Sequence, residues 1–502
     1  MGSNRDRDPH SRADDGRYVT RRRVLQGAVG LAGVGTGARL TAFTRWGQND
    51  SRARGSTSGA LALTRLLNQT KFSDLPPKAV EHAKVIIAST LASAAPGSSM
   101  ESARIIRDLA KEHGGKTEAT VWFDGTKLPV NDVAHINAVL SDAFASDDSD
   151  MRNTAHIGTC VTSVGLAVAE RTGSTGQDLL TAMIVGYEAA GRIGDARRGG
   201  RAGGHASQTV AFAGAVTAAR LLKLTDEQMA HAIGITAITM GGLGIGTNSW
   251  AREYMGGNAA FCAVNSALAA GRGYAVNEDI LEAQGGFLTV YGGTNPDSQI
   301  LTRDYGKEWD ITKYLAIKLW PGSHPFSSLV EAAMTAARRA NVPAGDVARI
   351  LVHGRSVDGS RNPRDYAEAI HSLPYFLACA VADKDFTWIH ASPAKFHDPA
   401  ITRLMGLVDA DASAAPVKYQ WNWGGTVTIV TTSGARFTST IDAPRGSAPR
   451  GIEWNDVHAK YRALMPDSKL PAPRIEESLK VIHGFDQVTR MSELTSLLHS
   501  RR

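Results

Sequence analysis

The sequence has 502 residues, of which 43% are apolar and 21% charged, a composition typical of a folded protein large enough for two or more hydrophobic cores. Its formal net charge of +6 lies mostly in residues 1–46, which carry nine Arg, four Asp and no Lys. The remaining chain is nearly neutral, which argues against a nucleic-acid-binding protein with a clustered basic surface. No apolar run is long enough for a helix that spans a bilayer, so we expect no stable membrane span.

Residues 1–46 have the features of a leader. Three arginines at residues 21–23 precede a short, glycine-rich apolar segment at residues 27–37. A twin arginine before a weakly apolar stretch predicts export by the Tat route, to the periplasm or the outside of the cell. The chain stays tethered to the membrane if this leader is not cleaved, and a disordered basic tail is the alternative. Residues 47–59 are rich in Ser, Gly and Arg and are predicted to be a linker.

Apolar residues recur with helical spacing from residue 60 to about residue 300. Pro76 and Pro77 are typical of the first turn of a helix. Thr225 and Gln228 have the spacing of a capping box, which predicts another helix start. Because these segments are rich in Ala and Gly, their helices can approach closely in a bundle. We therefore predict that residues 60–300 form the first part of a large helical domain.

The pattern then changes to that of a mixed segment. Residues 347–353 form a short β-type run, and residues 426–432 and 435–441 flank Ser433 and Gly434. Two β-type runs around Ser-Gly predict a β-hairpin with a two-residue turn.

Helical spacing also occurs within this segment, at residues 326–340 and 366–382. We predict a smaller α+β lid domain at residues 301–448, after which residues 449–502 return to the helical domain. The predicted fold class is therefore mainly α, with a large all-helical domain and an inserted smaller α+β lid domain.

The three cysteines, Cys160, Cys262 and Cys379, lie among apolar or small residues, and no two of them form a C-x-x-C pair. We expect buried thiols and no disulfide framework.

One cluster of polar residues lies at residues 142–156, among apolar surroundings. It contains Asp142, Asp147, Asp148, Ser149, Asp150 and His156. Adjacent carboxylates raise each other's proton affinity, and with a histidine they can remove and return a proton. The same oxygens can bind a divalent cation. A solvated acidic loop before the helix at residues 161–170 is the alternative.

A second cluster is the glycine-rich loop that contains Arg197, Arg198, Arg201 and His205. Its open backbone and arginines are suited to an anionic substrate, and a solvated basic loop is the alternative. The loop does not have the G-x-G-x-x-G spacing after a strand, so we predict no NAD site.

Two further positions join basic residues to glycine. Arg252 precedes a Gly-Gly pair, and Lys318 and His324 bracket a Pro-Gly turn. Such positions are suited to carboxylate binding and proton transfer, although a single Lys or His is more often structural.

In their order along the chain, these segments resemble the MmgE/PrpD family from about residue 60 to the C-terminus. The motifs are Asp147-Asp148-Ser149 with His156, Gly186-Tyr187-Glu188, His205 before A-F-A-G-A-V, G-G-N-A-A-F-C-A, E-A-Q-G-G-F-L, K-L-W-P-G-S-H and S-L-P-Y-F-L-A. Their number and spacing make the resemblance specific, whereas each motif alone is weak.

The resemblance implies two domains, usually in a homodimer, with the site in the cleft between the helical domain and the lid. It also implies chemistry without a cofactor or a metal, on a compact di- or tricarboxylate. A base removes a proton next to a carboxylate, and positive groups stabilise the resulting enediolate-like charge. The carbanion then expels water, or is formed by loss of carbon dioxide, or is reprotonated on the other face.

Position by position, the resemblance assigns catalytic roles to Asp148, His156 and His205. It assigns substrate binding to five others: Asp147, Ser149, Arg252, Lys318 and His324.

Five positions depart from the family pattern. Asp142 and Asp150 replace histidines, Ala145 replaces an aspartate, Arg252 replaces a lysine and Met255 replaces a histidine. Arg252 keeps a positive charge but cannot act as a base at neutral pH, and Met255 cannot carry a proton.

The sequence leaves several functions open. We favour a lyase or isomerase, with a dehydratase or decarboxylase ahead of an epimerase. Trp250, Tyr254 and Met255 also suit recruitment to a less acidic, more apolar substrate. A non-catalytic binding protein that keeps the cleft is a second possibility. The third is a metal-dependent hydrolase built on Asp147, Asp148, Asp150 and His156.

Overall fold

The structure, a computed structural model, describes residues 57–198, 206–293, 295–413, 417–421 and 423–499. The predicted leader at residues 1–46 lies outside them, so export stays a prediction. No helix in the described part of the chain is long and apolar enough to cross a bilayer.

Helices dominate the first 300 residues. They are α1 (Gly59–Gln69), α2 (Pro77–Gly97), α3 (Glu101–His113), α4 (Val130–Ala143), α5 (Ile157–Thr172), α6 (Gly176–Ala196), α7 (Ser207–Leu221), α8 (Asp226–Thr239), α9 (Ala251–Ala270) and α10 (Phe287–Tyr291). Pro77 lies in the first turn of α2, and Thr225 and Gln228 form a reciprocal capping box at the start of α8, as predicted.

The later helices are shorter. They are α11 (Asp310–Lys313), α12 (Ser327–Ala340), α13 (Tyr366–Ala369), α14 (Leu373–Ala382), α15 (Pro393–Phe396), α16 (Pro399–Met405), α17 (Trp454–Leu464), α18 (Ala472–His483) and α19 (Ser492–Thr495).

The strands form three small sheets. Two are antiparallel pairs, of β1 (Ala119–Thr120) with β2 (Lys127–Leu128) and of β3 (Asp148–Asp150) with β4 (Leu315–Ile317). The third has the order β6-β5-β7-β8, in which β5 and β6 are parallel and the other pairs antiparallel. Its strands are β5 (Val347–His353), β6 (Val408–Asp411), β7 (Gly425–Thr431) and β8 (Arg436–Ile441).

The first hydrophobic core is built from residues 60–317 together with residues 457–498. Small residues let its helices approach closely. A Cβ at Gly214 on α7 would lie 2.6 Å from the Cys160 sulfur on α5 and 2.8 Å from the Ala263 methyl on α9. Both ends of the described chain therefore share one core, and the fold class is mainly α with a smaller α+β part, as predicted.

A second core runs from Trp320 to Ile429, between the four-stranded sheet and the helices α12, α14 and α16. Side chains between residues 301 and 317 pack in the first core instead, although residues 301–448 are predicted to form the α+β domain. The change of core therefore falls between Ile317 and Trp320. The predicted domain limits themselves stay a prediction.

Three local predictions need correction. Residues 366–382 form two helices instead of one, because Ser372 caps a new helix whose first turn contains Pro374. The hairpin between β7 and β8 has a three-residue connection, since Thr431 pairs with Ala435 and Gly434 has a φ of 86°.

The third correction concerns the cysteines. All three are free, but Cys262 is only partly buried, unlike Cys160 and Cys379. Its sulfur lies 3.7 Å from the carbonyl oxygen of Thr239.

Candidate active site

Pairing of β3 with β4 brings two distant motifs together. Asp148 lies opposite Ile317, so Asp147 and Lys318 are neighbours at the end of the ladder. The Lys318 amide donates to the Asp147 carbonyl at 3.2 Å, and the Lys318 ammonium lies 3.0 Å from Asp147 Oδ1. A buried ion pair thus joins Asp147 and Lys318, which lie 171 residues apart in the sequence.

His156 immediately precedes α5 and meets two buried carboxylates. Its Nδ1 lies 2.7 Å from Asp147 Oδ2 and 2.9 Å from Asp142 Oδ1, at the end of α4. Burial opposes the charged imidazolium, but Asp147 and Asp142 outweigh burial and raise the pKa of His156 to about 9. His156 is therefore expected to carry a positive charge at neutral pH.

Asp147 accepts from three sides. Besides His156 and Lys318, the Thr159 hydroxyl donates to its Oδ2 at 2.8 Å. Burial favours the neutral carboxyl, but the charges of His156 and Lys318 outweigh burial and hold the pKa of Asp147 far below its usual range. Asp147 is thus a fixed anion behind the two cations.

Arg252 lies in the first turn of α9 and is buried. Its Nη2 donates to the carbonyls of Asp142 at 2.8 Å and Ala143 at 3.1 Å. Its buried Nε has no hydrogen-bond partner among the described residues. The guanidinium therefore holds the end of α4.

His156, Arg252 and Lys318 line one cavity of about 230 Å³. The lining side chains with proton or charge chemistry are those of His156, Arg252, Lys318, His324 and His371. A cavity below the roughly 300–1,000 Å³ of typical drug-sized pockets suits a compact ligand.

His324 differs from His156 although both line the cavity. Burial lowers its pKa well below the ordinary value, and the charges of Lys318 and His156 lower it further. Its buried Nδ1 has no hydrogen-bond partner in the described part of the chain, and its ring lies 4.9 Å from that of Trp423. His324 is therefore a neutral imidazole at neutral pH.

His371 was not predicted from the sequence. It lies between α13 and α14 and lines the cavity from the α+β part. Burial and the charge of Arg252 lower its pKa to about 4. The signal available in the sequence was its position directly before the S-L-P-Y-F-L-A motif.

Asp148 is buried but does not line this cavity. Its Oδ2 accepts from the Gly158 amide at 3.0 Å, and its Oδ1 has no partner among the described residues. Burial and the neighbouring Asp147 raise the pKa of Asp148 to about 7. The predicted catalytic carboxyl thus lies behind the cavity wall, against the start of α5.

Ser149 and Asp150 also lie away from the cavity. The Ser149 hydroxyl is buried without a described partner. Asp150 forms an ion pair of 2.6 Å with Arg152 and so does not join Asp147 and His156 in the predicted metal cluster. A different trio, Asp142, Asp147 and His156, has ligand atoms within 4.8 Å of one another, which suits a divalent cation sterically.

Within the glycine-rich loop, His205 and Arg201 lie outside the described residues. Arg197 donates to the carbonyl of Tyr291 at 2.6 Å, and Arg198 forms an exposed ion pair with Asp297. Neither Arg197 nor Arg198 lines the cavity, contrary to their predicted contact with an anionic substrate.

Among the departures from the family pattern, Ala145 and Arg252 line the cavity, whereas Asp150 and Met255 do not. The wall therefore has a methyl group at Ala145 where the pattern has a carboxylate. This substitution leaves the cavity more positive.

Comparison with known proteins agrees with this architecture. The MmgE/PrpD N-terminal domain matches residues 61–299, and the MmgE/PrpD C-terminal domain matches residues 320–480. The chain belongs to the MmgE/PrpD family.

Among its relatives are two proteins named cis-aconitate decarboxylase. The human protein is 23% identical over 445 residues, which cover 85% of this chain and 92% of the human protein. A protein from Aspergillus terreus is 25% identical over 471 residues, covering 85% of this chain and 93% of its own length. These relatives support an enzyme of the lyase type.

Proposed function

We propose that this protein is a lyase that acts on a small di- or tricarboxylate, by breaking a C–O or C–C bond next to a carboxylate. The observation that carries the proposal is the convergence of Arg252, Lys318, His156 and His324 on one small cavity. The family and the cis-aconitate decarboxylases among its relatives support the same class of reaction.

The cavity favours an anionic ligand. Arg252, Lys318 and the His156 imidazolium bring three positive charges to its wall, and the offsetting carboxylates of Asp142 and Asp147 do not line it. Charges in a buried site are screened much less than in water, so they bind carboxylates and stabilise negative charge that develops on carbon.

Two histidines with opposite pKa shifts divide the proton transfers. His324 is neutral and lines the cavity, so it is the proposed base. His156 is protonated, so it is the proposed acid. Environments that push two pKa values apart are typical of acid–base pairs.

In an elimination, His324 takes the proton from the carbon next to a carboxylate, and His156 protonates the departing hydroxyl as water. In a decarboxylation, the C–C bond breaks, carbon dioxide leaves with no proton, and His156 protonates the carbanion. Neither route needs a group that the side chains do not supply, so we propose chemistry without a cofactor. The elimination and the decarboxylation remain alternatives for this chain.

The proposal is tested by incubating the protein with cis-aconitate, 2-methylcitrate and epimerisable dicarboxylates in deuterated water. Release of carbon dioxide or water supports the lyase and distinguishes its two routes. Deuterium uptake without net elimination supports an epimerase instead. Binding of these acids without turnover overturns catalysis and leaves a binding protein.

Asp142, Asp147 and His156 keep a metal-dependent hydrolase as the second candidate. Its weakness is that His156 Nδ1 and Lys318 already occupy the oxygens that a cation would need. Activity that survives a strong chelator removes this candidate.

The homodimer and the Tat export remain predictions that stand beside the proposed reaction. Sedimentation of the purified protein tests the dimer, and fractionation of the source cells tests export.

A further inference from the structure

Lys460, on α17, is among the most buried charged side chains of the described residues, with 2% of its surface exposed. Its ammonium donates to the Ser89 hydroxyl on α2 at 2.7 Å and to the carbonyl of Ser146. The second contact spans 314 residues of sequence. Burying an ammonium costs several kcal/mol unless its partners offset the loss of water, so this placement is expensive.

The contact with Ser146 leads directly to the active site. Ser146 precedes Asp147, and its hydroxyl donates to the Ser93 hydroxyl at 2.8 Å. Ser93 in turn donates to the carbonyl of Ser141, the residue before Asp142. Lys460 thus holds the short loop between α4 and β3, from whose two ends the carboxylates of Asp142 and Asp147 meet His156.

Several charges face Lys460 from the surrounding elements. Asp147 and Asp148 on the β3 side attract it, whereas Lys318 repels it and Lys460 in turn acts on His324. The ring of Trp388 lies 5.9 Å from its nitrogen.

Lys460 also lines a separate cavity of about 490 Å³. The charged residues around that cavity are Glu331, Arg338, Asp385, Arg445 and Asp456.

We propose that Lys460 is a positioning residue for the proposed lyase reaction, and that its ammonium form holds the Ser146 carbonyl and the adjacent Asp147 carboxylate in the arrangement that keeps His156 protonated. This inference rests on the proposed function, and Lys460 itself does not line the substrate cavity.

Loss of the Lys460 proton weakens the site in two ways. The charge-assisted hydrogen bond to Ser146 becomes a weaker neutral one. A positive charge that offsets Asp147 and Asp148 also disappears. Burial lowers the pKa of Lys460 to about 7, although Asp147 opposes this effect, so the change falls within the working range of many enzymes.

The test measures kcat and KM between pH 5.5 and 9 for the full chain and for Lys460→Met, with the exposed Lys480→Met as the matched control. We expect the kcat of the unchanged protein to fall as the pH rises through about 7. Lys460→Met should show a low kcat without this fall near pH 7, reduced about tenfold or more at low pH, the size expected for losing one hydrogen bond to a charged group. KM should change little, and Lys480→Met should behave as the unchanged protein.

Asp148 also titrates near pH 7, so Asp148→Asn is the variant that separates the two groups. The kcat of Asp148→Asn should still fall as the pH rises, but at a lower pH, because Lys460 loses an attracting charge. A fall in kcat near pH 7 that persists in Lys460→Met but disappears in Asp148→Asn overturns the proposal. So does a rise in KM with an unchanged kcat in Lys460→Met.

A milder variant and a readout without turnover cover the case in which Lys460→Met does not fold. Ser89→Ala removes one hydrogen-bond acceptor of the Lys460 ammonium, so the fall in kcat should move to lower pH. Labelling with [ε-13C]lysine should show one resonance that titrates near pH 7 and is absent from Lys460→Met. If no acid is turned over, the proposed function fails.

In that case, hydrogen exchange of the backbone amides of residues 146–149 tests the positioning role without turnover. It should be about tenfold faster in Lys460→Met than in Lys480→Met, the effect of losing roughly 1.4 kcal/mol of local stability. Equal exchange in the two variants overturns the positioning role.

Discussion

His156 and His324 line one cavity, yet their neighbours give them different charges. Two carboxylates contact His156, whereas two cations and an apolar ring surround His324. The identity of a residue thus does not set its role here, because the partners of each ring decide which one can accept a proton.

Replacing the proposed base tests this division at the level of single residues. His324→Gln keeps a polar side chain of similar size but cannot accept a proton from carbon, so kcat should fall by about 10²- to 10⁴-fold. The exposed His397→Gln is the control and should leave kcat unchanged. Steady-state kinetics with the best acid substrate measures both, and an unaffected His324→Gln rules out His324 as the base.

The raised pKa of Asp148 predicts how the stability of the protein depends on pH. Its pKa in the folded protein, about 7, is higher than the ordinary value near 3.8, so the folded state binds the extra proton between these pH values. Its contribution to stability is therefore present at low pH and lost as the pH rises towards 7, by up to about 4 kcal/mol at 1.36 kcal/mol per pH unit. Urea unfolding at pH 5 and pH 8 should show that Asp148→Asn removes part of this dependence.

His156 should cause a further loss of folding stability at higher pH. Its pKa in the folded protein, about 9, is above the ordinary value of 6.5, so the stability it contributes is present below pH 6.5 and lost as the pH rises to 9. His156→Gln should flatten the urea-unfolding free energy between pH 7 and 9. An unchanged slope in that range contradicts the imidazolium assigned to His156.

At the scale of elements, the first turn of α5 packs closely against β3. A Cβ added at Gly158 would lie 2.3 Å from Asp148 Oδ1 and 2.8 Å from the Ile86 side chain. Gly158→Ala should therefore destabilise the protein by about 1–3 kcal/mol and disturb the site. Gly345→Ala is the matched control, because a Cβ there meets nothing within 4 Å. Urea denaturation and kcat of the two variants measure the difference.

Some elements could be predicted from the sequence because their signals are local. The capping box at Thr225 and Gln228 and the Ser-Gly hairpin are encoded within a few residues. The strands β3 and β4 were missed because three residues show no period, and their pairing joins segments that are far apart in sequence. For the same reason, no local pattern indicates that Lys460 reaches Ser146.

The candidate site could be predicted in part. Arg252, Lys318, His156 and His324 were found through motifs, and the structure brings them to one cavity. Asp148 was assigned to catalysis through the family resemblance, from its position in the Asp147-Asp148-Ser149 motif. Strand alternation and the start of α5 then turn its carboxyl away from the cavity, which no local pattern shows.

On the scale of the whole molecule, residues from both cores line the substrate cavity. His156 and Arg252 come from the part with the first core, and His371 from the part with the second. A polycarboxylate should therefore link the two parts and stabilise the folded chain by about 2.7 kcal/mol at 100 times its Kd.

Thermal unfolding with and without tricarballylate, a saturated tricarboxylate, measures this effect. Lys318→Met should abolish the rise in Tm, whereas the exposed Lys307→Met should keep it. An equal rise in both variants places the acid elsewhere.

The reach of Lys460 from α17 back to Ser146 also has a consequence for biosynthesis. The ribosome completes the Asp147 and His156 segments long before it makes residue 460. Until then, the Lys460 amine that holds the loop between α4 and β3 is absent. A nascent chain can therefore form helices early, but the arrangement of Asp142, Asp147 and His156 matures only after residue 460 has been translated.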